Sequence, residues 1–359
     1  MQFHNPQEVD PVMIREIISN SANALRKLAT RLRTSRAFLG LVAAAIVLVV
    51  TGFGWRTDAD DVRDESQAAI NDFWAAYHGN DYAAIPRIQT ELEQALENDS
   101  DNPTLYALLG ATHFWHIGEA ARDRNPQDPA LVGDMPEAVS NFSKALDLDY
   151  YRKHSIGYIN DDHLPGYLGI TTVHLGQMTN DTDLTSKGDQ TLNFAAYEFP
   201  EFNNFNRWAA HNTDPKDSPD YQSALDSLWQ GIDACIGGTI DRQNPDLKPY
   251  LHLFTSVGRK RACWWDGEIA PYSFEGYMLN LGNGLVKAGQ VQAARVVYHD
   301  AHYAANYNSW SYRKVLEAVE TSDLNARAAL YADQDSQNDP PMGVPNRGCS
   351  YCHAKVPER

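Results

Sequence analysis

Residues 272–310, YSFEGYMLNLGNGLVKAGQVQAARVVYHDAHYAANYNSW, decide the fold class. Gly284, Ala288, Ala293, Ala294, Tyr298 and Ala301 fall at helix-packing intervals around a turn residue, Gly289, so the stretch reads as two antiparallel helices. The pattern recurs upstream. NPTLYALLGATHFWHIGEA, 102–120, carries Leu105, Leu108, Leu109, Phe114 and Ile117 at helical spacing, and PEAVSNFSKALDLD, 136–149, adds Ala138, Phe142, Ala145 and Leu146. GYLGITTVHLGQ, 166–177, precedes LTSKGDQTLNFAAYEFPEFNNF, 184–205, in the same way. Runs of strict alternation are few, so the expected class is all-α.

The small residues between paired helices resemble those of tetratricopeptide repeats, which let two antiparallel helices approach closely. FAAYEFPEFNNF near 194 and DAHYAANYNSW near 300 also echo one another, each placing aromatics and asparagines after a second helix. The segments between pairs vary in length, so an irregular all-helical domain is the alternative expectation for this region. No Gly-rich phosphate loop, HExxH, nucleophile elbow or paired catalytic carboxylate occurs in the sequence.

The formal net charge of the 359-residue chain is −17, while residues 1–36 hold six Lys/Arg against three Asp/Glu. The rest is therefore more acidic than the total. Such a body repels duplex nucleic acid and anionic lipid and favours basic partners, so no nucleic-acid partner is expected.

AFLGLVAAAIVLVVTGFGW, 37–55, is uncharged over nineteen positions. At about 1.5 Å per residue it approaches the hydrocarbon thickness of a bilayer. Arg26, Lys27, Arg31, Arg33 and Arg36 precede it; Asp58, Asp60, Asp61, Asp64 and Glu65 follow. The positive-inside rule then predicts a single-pass protein of a bacterial inner membrane, with its N-terminus cytoplasmic and its main domain periplasmic. A cleaved signal peptide is the rival reading. The long preceding segment and the lack of an A-x-A-like site weigh against it. Residues 1–36 form a basic amphipathic segment, with Asp10-Pro11 as a helix start and Ile14, Ile18, Leu25, Leu28 and Leu32 on one face. The exported helical domain then runs over 56–332, followed by a linker and tail over 333–359.

That tail holds Cys349-Ser-Tyr-Cys352-His353. With four cysteines and twelve histidines in the chain, a chance CxxCH is on the order of one in seven hundred. The chemistry is coherent: two thiols form thioethers with haem vinyl groups and the adjacent histidine ligates iron. Zinc would require further ligands, and a thioredoxin-like dithiol a βαβ context at a helix start.

Over residues 348–354 the chain resembles the c-type cytochromes, the wording G-C-x-Y-C-H being similar to haem segments of multihaem electron-transfer cytochromes. The resemblance implies one covalent haem c, with Cys349 and Cys352 as attachment points and His353 as the proximal ligand. It departs from the monohaem cytochrome c domain, where the motif lies near the start and a distant methionine supplies the sixth ligand. Candidates for that ligand here are Met342, in the Pro- and Gly-rich stretch 333–348, and His302, which shares a helical face with His299. Arg259, Lys260 and Arg261, followed by Trp264 and Trp265, are candidates to pair with propionates and cover the macrocycle, the alternative expectation being a surface loop with two core tryptophans.

The six residues after His353 cannot cover a haem, so its pocket is expected either from the chain's own helices or from a neighbouring subunit. The resulting expectation is an electron carrier rather than an enzyme, working with a membrane electron-transfer complex or redox protein, self-association also being open. A tetratricopeptide-like scaffold with a non-haem redox or metal tail is the first rival; a haem enzyme is the second. Cys235 and Cys263 remain as a pair, either a disulfide or two buried thiols.

Overall fold

The computed structural model describes residues 59–122, 131–152, 163–253, 255, 259–263, 269–332 and 348–355. The chain divides into Met1–Arg63 and Asp64–Arg359, and all the described residues from 64 onward belong to the second unit. The unit is all-helical, with no strand among the described residues. Nor is any helix among them long and apolar enough to cross a membrane. The apolar run 37–55 and the basic segment 1–36 lie outside the described residues.

Its helices are α1 (Ala59–His78), α2 (Ile85–Asn98), α3 (Pro103–Arg122), α4 (Leu131–Arg152), α5 (Leu164–Thr179), α6 (Thr182–Glu198), α7 (Pro200–His211) and α8 (Pro219–Ile236). After a stretch with two 3-10 turns, Lys248–Leu253 and Arg259–Ala262, come α9 (Ser273–Lys287), α10 (Val291–Asp300), α11 (Arg313–Glu320), α12 (Leu324–Ala329) and α13 (Gly348–His353). Successive helices pair: α3 with α4, α5 with α6, α7 with α8, and α9 with α10.

Local chemistry sets these boundaries. In α2, Pro86 occupies the first turn, where a missing N–H costs nothing, and Ile85, Ile88, Leu92, Ala95 and Leu96 form the buried face. Between α5 and α6 the chain reverses through Asn180 in the left-handed region (φ 53°), and the Asp181 carboxylate caps α6 by accepting from Leu184 N at 2.9 Å. A Cβ added at Gly188 would lie 2.6 Å from Val173 N, so these two backbones approach as only glycine allows. Ser218 caps α8, followed by Pro219, and Gly237 (φ 68°) ends it.

The single helix expected over 184–205 is instead two. Apolar periodicity continues through Phe199, but Pro200 cannot donate to the preceding turn, and Phe199 takes a non-helical φ of −141°. The pair expected in 272–310 forms as α9 and α10, with Gly289 (φ 78°) at the turn and the Tyr298 hydroxyl donating to Asn283 Oδ1 at 2.7 Å.

The largest hydrophobic cluster lies in the C-terminal half, built on Trp208, Tyr221, Leu228, Trp229, Met278 and Tyr298. Tyr351 and Ala354 of the tail belong to it. Cys235 and Cys263 form a disulfide spanning 28 residues, which settles the pair left open by the sequence. Closing a loop of this length restricts the unfolded chain by roughly 3–4 kcal/mol. Replacing both cysteines by serine is therefore expected to lower the unfolding free energy by about that amount in urea titration.

His211 ties the end of α7 to α6: Nε2 donates to Asp189 and Nδ1 to Asp214, each at 2.8 Å. Burial opposes the charged ring, but the two carboxylate hydrogen bonds prevail and its pKa is raised from 6.5 to about 10. The folded state thus holds the proton more tightly than the unfolded one. The contribution is complete below about pH 6.5, falls as pH rises toward 10, and is absent above. The stability gap between wild type and His211→Gln should shrink across that window in urea titrations.

Candidate haem-attachment site in the C-terminal tail

The CxxCH segment is helical. In α13, residues 349, 352 and 353 are related by three and four positions, which places them along one side of a single helical stretch. No residue of the tail signals a helix start, yet the backbone is helical from Gly348 onward. A dithiol at such a position is usual in thioredoxin-like proteins, but the described residues contain no strand for a βαβ unit. The linker 333–347 and the Cys349 side chain lie outside the described residues, as does the Met342 candidate.

This helix docks on the chain's own body. Tyr272 N donates to Cys352 O at 3.0 Å, Trp310 Nε1 to Tyr351 O at 2.8 Å, and Ser311 Oγ to Ala354 O at 3.1 Å. Lys355 N reaches His78 O at 2.9 Å, and the Tyr82 hydroxyl pairs with Ser350 Oγ at 3.0 Å. Tyr351 is 2% exposed, with its ring edge-on to Tyr312 at 5.0 Å. The receiving surface therefore comes from the end of α1, the start of α9 and residues 310–312. The tail thus docks on the chain's own helices.

Gly276, in the first turn of α9, makes the close approach possible. A Cβ there would stand 2.5 Å from Cys352 Sγ and 3.0 Å from both Cys352 N and Tyr351 C. The Cys352 thiol points toward Ser273 O, 3.9 Å away.

His353 is half-buried, and its Nδ1–H donates to the carbonyl oxygen of Ile269 at 2.5 Å. His78 donates from Nε2 to the same oxygen at 2.8 Å. A ring that donates from Nδ1 carries its lone pair on Nε2 when neutral. Burial pushes the His353 pKa down to about 4; the Ile269 hydrogen bond opposes that shift and neighbouring His78 adds to it. Near neutral pH the imidazole is therefore uncharged, the form that ligates metal. The Tyr77 ring lies 5.1 Å from His353, and Trp115 meets Tyr77 edge-on at 5.0 Å. Trp115 Nε1 is a buried donor without an acceptor.

These residues fit a covalently attached haem in three respects. Cys352 and His353 share one helical stretch with residue 349, the histidine is neutral with Nδ1 tied back, and a buried N–H donor beside the aromatic wall awaits an acceptor.

The other candidates sit elsewhere. His302 lies in a 3-10 turn, Ala301–Tyr303, bonded through Nε2 to Glu320 at 2.9 Å and tilted against the Tyr307 ring at 4.3 Å. None of these partners belongs to the tail. Arg259 donates to Glu201 and lies over the Phe199 ring, while Trp264 and Trp265 fall outside the described residues. Sequence reasoning missed Ile269, Tyr272, Gly276 and Trp310. The first acts through its backbone, and the others read as ordinary helix and core residues. No family model, curated protein or solved structure matches this chain.

Proposed function

We propose that this chain is a membrane-anchored, periplasm-facing c-type cytochrome with one haem, acting in one-electron transfer as a subunit of, or docking partner for, a membrane electron-transfer complex. The observation that carries the reading is His353: an uncharged imidazole, its Nδ1–H held by Ile269 O, directly following the second cysteine of the motif. Cys349 and Cys352 would hold the haem and His353 its iron, and the bound group would supply one-electron redox chemistry. The chain's own contribution is positional. Tyr272, Trp310 and Ser311 fix the tail backbone, and the α1 aromatics Trp74 and Tyr77 line the side of His78 and His353.

The anchor is residues 37–55, oriented by the charge reversal across them. The Cys235–Cys263 disulfide supports export, since disulfides persist in oxidising compartments, where c-type haem attachment also takes place. The paired helices, with glycine at close crossings, support a tetratricopeptide-like body that presents surface to a partner complex. A scaffold role with a redox or metal tail is the second reading. It is favoured by the tail's own hydrogen bonds and buried Tyr351, which clip it to the body whatever it carries.

Protein made with c-type maturation machinery should give a reduced-minus-oxidised haem c spectrum. In spheroplasts, added protease should digest the body and spare residues 1–36. A colourless protein would favour the scaffold reading, and a protected body would reverse the topology.

A further inference from the structure

We propose that His299, His302 and Glu320 form a binding site for a divalent first-row transition cation of zinc's class, separate from the tail. One ligand atom from each residue lies within 4.8 Å of the other two. His302 Nε2 is 2.9 Å from Glu320 Oε2, and His299 Nδ1 is 3.6 Å from Glu320 Oε1. Donors around a tetrahedral ion with bonds of about 2.0–2.1 Å stand roughly 3.4 Å apart, so small side-chain movements convert this cluster into a coordination shell. Two imidazoles and a carboxylate form the nitrogen and oxygen set that suits borderline divalent ions.

Three further features favour a cation here. His299 lies in the last turn of α10 and Glu320 ends α11, so two helix C-termini, each carrying partial negative charge, converge on the cluster. A carboxylate at such an end is unfavourable alone and is relieved by a positive ion. The rings are also held in place: Tyr307 lies against His302 at a tilt, with centroids 4.3 Å apart, and Tyr303 meets His299 edge-on at 5.6 Å. The Tyr307 hydroxyl, 3.4 Å from His302 Nε2, stands beside the shell. The other grouping of this kind, His211, Asp214 and Asp220, differs chemically: both His211 nitrogens already donate to carboxylates, and its proton is held to about pH 10.

The test is calorimetric titration of the full-length, EDTA-treated protein with Zn2+ alone, in a C349S/C352S background that removes the tail thiols as competitors. One saturable site is expected. H299A/H302A should abolish it, and E320Q should weaken it by at least the roughly 10- to 100-fold that loss of an outer-shell partner costs. H211Q should leave it intact. The His299 side chain is 60% exposed, so H299A alone, with its metal-free melting curve compared to the parent, excludes misfolding as the cause. Absence of saturable binding, or binding unchanged in H299A/H302A, would overturn the proposal.

Discussion

If the tail carries haem as proposed, replacing Cys349 and Cys352 together by serine is expected to leave the protein without covalent haem while the helical body stays folded. The body does not depend on the thiols: Tyr351 and Ala354, which anchor the tail in the main core, are unchanged, and Cys352 itself is only half-buried. Either single replacement should weaken the attachment, one thioether remaining possible. His353→Ala is expected to separate attachment from ligation: Cys349 and Cys352 would still hold the proposed haem, while the imidazole that Ile269 O orients, and that would ligate its iron, is gone. Intact mass reads attachment and the absorption spectrum reads ligation. Full haem content in the double serine variant would remove the tail from the account.

Gly276→Ala releases the tail from the body. In an exposed helix this exchange stabilises by about 1 kcal/mol, because glycine has the greater backbone freedom to lose. Here the new methyl would stand 2.5 Å from Cys352 Sγ and 3.0 Å from two backbone atoms of the tail. The sulfur can turn aside, but the backbone cannot, being fixed by Tyr272 N and Trp310 Nε1 on either side. Overpacking of this kind costs about 1–3 kcal/mol and outweighs the propensity gain. Hydrogen exchange at Ala354 N and Lys355 N, bonded to Ser350 O and His78 O, should then quicken by roughly five- to hundredfold, with α5 and α6 unaffected. Unchanged exchange at those two amides would show that Gly276 does not govern docking.

The helical class and most helices were legible because apolar spacing is a local signal. The stretches 102–120, 136–149 and 166–177 each correspond to a helix whose bounds differ by one to five residues. Pro200 was legible in principle as a helix start, but the apolar pattern running on through Phe202 and Phe205 masked the break. The disulfide could be read only as a parity of cysteines, since its geometry arises from the irregular stretch between α8 and α9. The motif residues at 349, 352 and 353 were readable from spacing alone. Their cradle was not: it joins residues from His78 to Trp310, and its key acceptor is the backbone carbonyl of Ile269. The polar linker before the motif carried no sign of where the tail would land. His299 and His302 were legible as neighbours on one face, yet the carboxylate they meet, Glu320, comes from a different helix.

The proposed function stands on one covalent haem carried by the tail. Intact mass spectrometry of the full-length protein matured in the periplasm, with pyridine haemochrome on the same sample, reads it without intermediaries. The expected result is a polypeptide mass increased by one haem and the spectrum of two thioether bonds. An unmodified mass from cells that mature a co-expressed c-type cytochrome would contradict it.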